Sequence, residues 1–449
     1  MRFGIKNLGP IQNANIEIGD LTIVCGKNNT GKTYLTYSLF SFLETIRSNV
    51  KIDIPKVSLD IFTSKGEISL DLVAFLPNFQ DALEKAMKSF SEVLFLFLAR
   101  NPNYTKNVNC SCSIDRKEHI SHLEKLTYYN DTLPITKSCD IIANKKANNT
   151  QVTFMLSNRS DTIPEKSVIN NSLCLYVSKI LNTIFSDIFV ITCERTGASL
   201  FRNALIMSKE MNKEIAQNST AILEKLRKDQ DFYGYAFPIV KDIMFATRYY
   251  EESLVDSFLC HGKQGKMVFE CFSKIVDGSI SVKENNNVTF TPNDSNIPLH
   301  LVESSSSIRA LSELFFYLKS KAKKGQILMI DEPELSLHPE NQRLIARLFA
   351  LLVNAGIKVF ITTHSDYIIR EFNSLIMLNQ DNEAINRIRR KYKYKQGELL
   401  NPEQIRCYVI KNNSVSAMDV SSKYGIKVTS FDDTILKVNE IQHSLLFGV

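Results

Sequence analysis

The chain has 449 residues, 44% of them apolar and 23% charged, with a formal net charge of +6. That length accommodates two or three domains, and the composition excludes a disordered or collagen-like chain. The mildly basic balance permits a nucleic-acid partner without requiring one. Nine cysteines occur without a C-x-x-C pair, and Cys110-Ser-Cys112 has the wrong spacing for a zinc site, so all nine read as reduced thiols. The start, Met-Arg-Phe-Gly-Ile-Lys, has no apolar signal region, and the most apolar run, Val93 to Ala99, is too short to cross a bilayer. The expectation is a soluble, cytoplasmic protein without a membrane partner.

Phe3 to Asp20 predicts two short strands around a turn at Gly9-Pro10, and Leu21 to Cys25 predicts a buried strand. The next residues, Gly26-Lys27-Asn28-Asn29-Thr30-Gly31-Lys32-Thr33, fit the pattern G-x-x-x-x-G-K-[ST] at every fixed position. Tyr34 to Glu44 follows, apolar at helical spacing through Leu35, Leu39, Phe40 and Leu43. A strand, a glycine loop and a helix form the context in which this pattern binds phosphate. Backbone N–H groups of Gly26, Asn28, Asn29, Thr30 and Gly31 and of the helix N-terminus point at the phosphates. Lys32 reaches the β- and γ-phosphates, and the Thr33 hydroxyl helps hold Mg²⁺. The chain is expected to bind a nucleotide.

Residues 50 to about 185 break the α/β rhythm. Val57 to Val73 alternates like a hairpin turning at Lys65-Gly66, and Asn78 to Arg100 predicts a helix. Polar strands follow, with turns near Asn101-Pro102-Asn103 and Asn148-Asn149. His119 and His122 have a spacing that binds metal on a helix, but their charged neighbours Lys117, Glu118 and Lys125 favour a solvated surface. Ile184 to Thr192 predicts a return to the buried sheet. It runs into Cys193-Glu194-Arg195-Thr196-Gly197, either a ligand contact at a strand's C-terminal end or a charged loop. Asn203 to Asp231 predicts a long amphipathic helical segment, a two-helix arm or a partner-binding surface, and helical character continues to residue 255. A hairpin through Ile280–Val282 and Val288–Phe290 and a short strand at Ile297 to Val302 come next.

Ser304-Ser305-Ser306-Ser307 opens an amphipathic helix, Ala310 to Ser320, offering hydroxyls and free N–H groups to an anion or simply capping the helix. Gln326 to Glu332 is an apolar strand ending in two carboxylates. Asp331 would hold Mg²⁺ through water, and Glu332 would orient or deprotonate an attacking water. A helix from Glu340 to Leu352 leads to a further core strand, Lys358 to Thr363, ending at His364, where a γ-phosphate sensor belongs. Residues 381 to 395 carry Arg387, Arg389, Arg390, Lys391, Lys393 and Lys395 interleaved with Tyr392 and Tyr394, a nucleic-acid contact or a solvated face. Strands at Cys407–Ile410 and Ser414–Asp419, a turn at Gly425 and a last helix from about Asp433 complete the reading.

In this order and spacing the motifs resemble the ABC-type ATPase superfamily, in the branch close to SMC, RecF and OLD-family proteins. Gly26–Thr33 resembles the Walker A loop and Ile327–Glu332 Walker B. Ser304–Ser307 stands at the signature position, Leu335–His338 resembles the D-loop and His364 the switch histidine. The departures are four serines in place of Leu-Ser-Gly-Gly, His338 in place of the D-loop aspartate, and Arg195 as candidate for the Q-loop position. With its large middle insertion the chain resembles the ATPases of prokaryotic defence islands, such as those of the PARIS and Septu anti-phage systems and of retrons.

The resemblance implies an α/β fold, an ABC-type P-loop ATPase head with a large α+β insertion between Walker A and the signature. The expected division is 1–48 (first part of the ATPase lobe), 49–183 (insertion), 184–202 (return to the core), 203–255 (helical arm), 256–375 (second part of the lobe) and 376–449 (C-terminal α/β extension). It also implies ATP and Mg²⁺ as cofactors and a site shared by two protomers, the loop of one closed by Ser304–Ser307 of the other, within a dimer or higher homo-oligomer. The stretch after His364 is short for a Toprim nuclease domain and holds no Asp-x-Asp cluster. Nuclease or toxin chemistry is therefore expected in a separately encoded effector, with this chain as sensor and scaffold. The rival reading is a RecF- or SMC-like ATPase that binds DNA in repair or recombination. A transporter subunit fits poorly with so long an insertion.

Overall fold

The computed structural model describes residues 1–158, 164–201, 234–283, 287–295, 297–427 and 440–445. Its centre is a nine-stranded mixed sheet. From one edge to the other run β5 (Asn109–Ser113), β1 (Arg2–Leu8), β2 (Ile11–Glu17), β16 (Ser414–Met418), β15 (Ile405–Lys411), β3 (Leu21–Gly26), β14 (Lys358–Thr363), β13 (Ile327–Asp331) and β9 (Ile188–Ile191). The last five are mutually parallel. Parallel strands covered on both faces read as unbroken apolar runs, and the core shows why. Val24, Met329 and Phe360 pack on one side of the sheet, while Ile23, Cys25, Leu328, Ile330 and Ile361 pack on the other. The helix Lys32–Asn49 covers the first face, and the helices Pro339–Asn354 and Asp366–Met377 cover the second. The C-terminal stretch thus contributes to the sheet centre, because β15 pairs in register with β3 from Ile405 opposite Leu21 to Ile410 opposite Gly26.

The inserted residues form a second, four-stranded antiparallel sheet of β4 (Glu67–Asp71), β8 (Gln151–Asn158), β7 (Cys139–Lys145) and β6 (Tyr128–Pro134). The helices Leu76–Phe97 and Lys166–Leu181 pack beside it. Its core is continuous with the first face of the main sheet: Phe42 meets Phe3, Phe90 and Phe185 at ring-centroid distances of 5.2, 5.8 and 6.0 Å. A three-stranded sheet of β10 (Gly278–Val282), β11 (Val288–Pro292) and β12 (Leu299–His300) fits the expected hairpin and short strand. All nine cysteines stand as free thiols. Among the described residues no helix is long and apolar enough to cross a membrane.

Two expectations need correction. Val57 to Val73 is not a hairpin: Lys56–Lys65 is a helix ended by Gly66 in the left-handed conformation at φ 71°, and only the residues after it form β4. Leu59 and Phe62 face the core three residues apart, whereas Val57 is 71% exposed, so the apparent alternation was never a strand face. His119 and His122 are not a solvated pair. They lie on the helix Arg116–Lys125 and turn inward, His119 Nε2 lying 3.2 Å from the Leu181 carbonyl and His122 Nε2 3.0 Å from Thr183 Oγ1. The arm expected from Asn203 to Asp231 lies outside the described residues, as do residues 428–439 at the start of the expected last helix.

Burial lowers the His119 imidazole from 6.5 to about 4. Between those values the unfolded chain binds more protons than the folded one, so stability is full above pH 6.5 and falls as pH drops towards 4. The loss from this residue is about 2 kcal/mol at pH 5. In urea titrations at pH 7.5 and pH 5, His119→Gln should lose that much less stability between the two pH values than the parent chain.

Candidate active site

The register brings the C-terminal ends of β3, β14 and β13 side by side: Cys25 lies opposite Thr363, and Thr362 opposite Asp331. Ligands of open α/β sheets bind at such ends. The loop after β3 has its tightest point at Gly31, which has φ 99° and would place a Cβ 2.9 Å from Ile11 Cγ1. Only glycine fits there. Thr30 Oγ1 donates to the Lys27 carbonyl at 2.8 Å, and Lys32 Nζ donates to the Gly26 and Lys27 carbonyls at 3.0 and 3.1 Å. The buried ammonium therefore sits inside the loop, 3.8 Å from Glu332 Oε1.

Asp331 joins the two halves of the chain. Its carboxylate accepts from Thr33 Oγ1 at 3.1 Å on one side and from Thr362 Oγ1 on the other, and the residue is fully buried. Burial raises this carboxyl above its ordinary value, and the Thr362 and Thr33 hydroxyls pull the opposite way. The Thr33 hydroxyl and the Asp331 carboxylate are hard oxygen donors in contact, the donor set that suits Mg²⁺, which takes few protein ligands and fills its shell with phosphate oxygens and water. They fit the ion the sequence implied.

Glu332 follows in the left-handed region at φ 49°, a conformation that costs a non-glycine residue energy and is held by its surroundings. Its N–H donates to the Thr362 carbonyl at 3.2 Å, while Arg195 Nη1 and Nη2 donate to the carbonyls of Asp331 and Glu332 at 2.9 and 2.8 Å. Arg195 is itself buried and also bonds the Thr192 carbonyl. It is a backbone clamp on the two acidic residues. The sequence alone leaves Arg195 open between a ligand contact and a charged loop, because nothing local shows where an arginine fork is aimed.

His364 lies at the tip of β14 with Nδ1 3.5 Å from Glu332 Oε1 and 3.3 Å from Glu334 Oε1. Glu334 also accepts from Thr363 Oγ1 at 2.8 Å and from the His364 N–H at 2.7 Å, so it fixes the strand tip. Sequence reasoning missed this role. The one available signal was the Thr-Thr-His ending of a core strand opposite an acidic loop. Ser336 takes φ 61°, and His338 caps the helix Pro339–Asn354, its Nδ1 accepting from Glu340 N–H at 3.3 Å.

The four serines stand apart from these groups. Ser304 donates to the His300 carbonyl at 3.1 Å, Ser305 caps the helix Ser306–Phe316 by accepting from Ile308 N–H at 3.3 Å, and Ser305 and Ser307 hydroxyls lie 2.7 Å apart. Ser305 and Ser306 are exposed. Their hydrogen bonds close on their own segment.

A phosphate loop, an acidic strand end with hard oxygen donors and a neighbouring histidine on a parallel sheet define a P-loop ATPase fold. A family model described as AAA ATPase domain (AAA_15) matches residues 1–369, and the chain belongs to that family. No curated protein matches it. Among solved structures it is similar to an Smc head bound to the C-winged helix domain of ScpA, with 10% identity over 96% of this chain and 98% of the other and a TM-score of 0.35. It is also similar to an Smc head with an extended coiled coil bound to the C-terminal domain of ScpA, derived from Pyrococcus furiosus (11%, 98% of each chain, 0.35). A third likeness is to the SMC head domain from Thermotoga maritima (9%, 94% and 98%, 0.31).

Replacing Arg195 by Met keeps the side chain's bulk and removes its three backbone bonds. Steady-state turnover should fall roughly 100-fold, the scale of a misplaced reacting group. Equilibrium ATP binding, which depends on the loop, should stay within about threefold, since uniform binding and transition-state positioning separate in this way. Equal loss of both would place Arg195 in nucleotide binding.

Proposed function

We propose that the chain binds and hydrolyses ATP with Mg²⁺ at a site completed by a second copy of itself, and that engagement of the two heads is its mechanical output. The observation that carries this is the division of labour in one protomer. Lys32, Thr33, Asp331, Glu332 and His364 gather at the rim of the sheet, while Ser304–Ser307 sit on a separate helix start with no bond to them. Loop N–H groups and Lys32 take up phosphate charge, and Thr33 and Asp331 hold the metal ion. Glu332 accepts a proton from the attacking water, and His364 donates to the γ-phosphate. The partner's serines close the far side with hydroxyls and helix N-terminal N–H groups.

The cellular role we infer is that of sensor and scaffold in an anti-phage system, holding a separately encoded nuclease or toxin. The motif-level resemblance and the large insertion support it. A second reading, a DNA-binding ATPase of the RecF or SMC type, is favoured by exposed Arg390, Lys391 and Lys393. The other basic residues of that run have partners within the chain. Arg389 donates to the Leu378 and Gln380 carbonyls, Arg387 pairs with Glu383, and Lys395 pairs with Glu270.

Glu332→Gln should bind ATP, stop turnover and accumulate a dimer or higher oligomer in light scattering with ATP. Lys32→Ala should abolish ATP binding, and normal binding by that variant would refute the site. Mass spectrometry of what co-purifies with Glu332→Gln, expressed with its neighbouring genes, separates the two roles. A stoichiometric effector protein supports the scaffold, and DNA without protein supports the clamp.

A further inference from the structure

The phosphate loop opens into a cleft of about 850 Å³ that continues past Thr33 to Tyr34, Arg100, Tyr104 and Tyr235. A volume of this order suits a small-molecule ligand. The loop accounts for the phosphate end of the cleft and leaves the other end, lined by aromatic side chains and a guanidinium, without an assignment.

Two of the side chains at that end, Arg100 and Tyr104, come from the inserted segment. The helix Leu76–Phe97 stops, Ala99 turns the chain with φ 49°, and Arg100 N–H closes the turn on the Phe95 carbonyl at 2.9 Å. Asn101 Oδ1 then accepts from Asn103 N–H at 3.0 Å, and Tyr104 N–H donates to the Asn101 carbonyl at 2.9 Å. Asn7 Nδ2 ties the next residues to β1 by donating to the Asn107 carbonyl at 3.2 Å. These bonds fix Tyr104 against Tyr34, the residue after the loop's Thr33, with ring centroids 5.8 Å apart and planes 27° from parallel. The Arg100 guanidinium carbon lies 5.6 Å from the Tyr34 ring centroid. Gly9, at φ 55° in the turn between β1 and β2, makes room for the pair: a Cβ there would lie 3.1 Å from the Tyr104 hydroxyl and 3.7 Å from Tyr34 Cδ2.

Tyr104 nevertheless stays 44% exposed, and Tyr235 across the cleft 60%. The Tyr104 ring, held by its turn and left partly open beside a phosphate loop, suits a flat π-system, because stacking on tyrosine and on an arginine plane takes any nucleobase. We propose that Tyr104 and Arg100 of the insertion form the base platform of the nucleotide site, stacking the purine of the bound nucleoside triphosphate. This rests on the nucleotide reading of the loop. The base platform thereby belongs to the insertion rather than to the sheet that holds the phosphates.

The test is photolabelling of the full chain with 8-azido-ATP and Mg²⁺, with the labelled peptide mapped by mass spectrometry, together with ATP affinities of variants. The label should fall within residues 98–106 and be displaced by excess ATP. Tyr104→Ala should bind ATP about tenfold more weakly or worse, Tyr104→Phe should bind as the parent does, and Arg100→Ala should weaken binding in the same direction. Label mapped elsewhere, or parental ATP affinity in both Tyr104→Ala and Arg100→Ala, overturns the platform while leaving the loop assignment intact. Lys32→Ala separates the two failures. If that variant still binds and labels, the nucleotide reading of the loop falls, and the platform with it.

Discussion

The Asp331 carboxylate, gripped by a hydroxyl from the phosphate loop and another from β14, is the contact on which the site depends. Thr33 and Asp331 are 298 residues apart in the chain. Their meeting requires that β3, β14 and β13 be neighbours in parallel register, so that three strand ends finish at one level. A one-residue slip of any of the three would turn every side chain of that strand to the opposite face. It would send Asp331 or Thr362 into one of the two apolar cores. The apolar runs that cover both faces of these strands therefore hold the register and, through it, the geometry of the two threonines around the aspartate.

Behind that contact lies a layer of buried polar groups. Arg195 spends its fork on backbone carbonyls of Thr192, Asp331 and Glu332, and Asp242 receives both the N–H and the hydroxyl of Thr192. Glu313 lies against Asp242 on the helix that begins with the serines, and burial raises the carboxyls of both. Charges this deep are costly unless paired or protonated. These groups form a buried polar connection between the serine helix and the acidic strand end.

The insertion is joined to the ATPase core by packing as well as by chain connectivity. β5 extends the main sheet beside β1, and the Phe42 ring is shared between them. Phe42 lies on the helix that follows the phosphate loop, so the insertion packs directly on that helix. The residues that close the cleft, Arg100 and Tyr104, come from the same segment.

The sequence determined the phosphate loop, the acidic strand end and the strands beneath them, because each is a local pattern with a local cause: glycines where a side chain would clash, and unbroken apolar runs where both faces are covered. It misread Val57–Val73, where one helix face carrying Leu59 and Phe62 imitates alternation, and it misplaced His119, whose charged neighbours hide an inward-facing imidazole. Arg195, Glu334 and Tyr104 were illegible for a different reason. Their roles are set by what lies opposite them from distant parts of the chain, backbone carbonyls of another strand end in one case, a histidine in the second and a tyrosine ring in the third. Local propensity and periodicity fixed which elements form, and long-range packing alone decided which side chains meet.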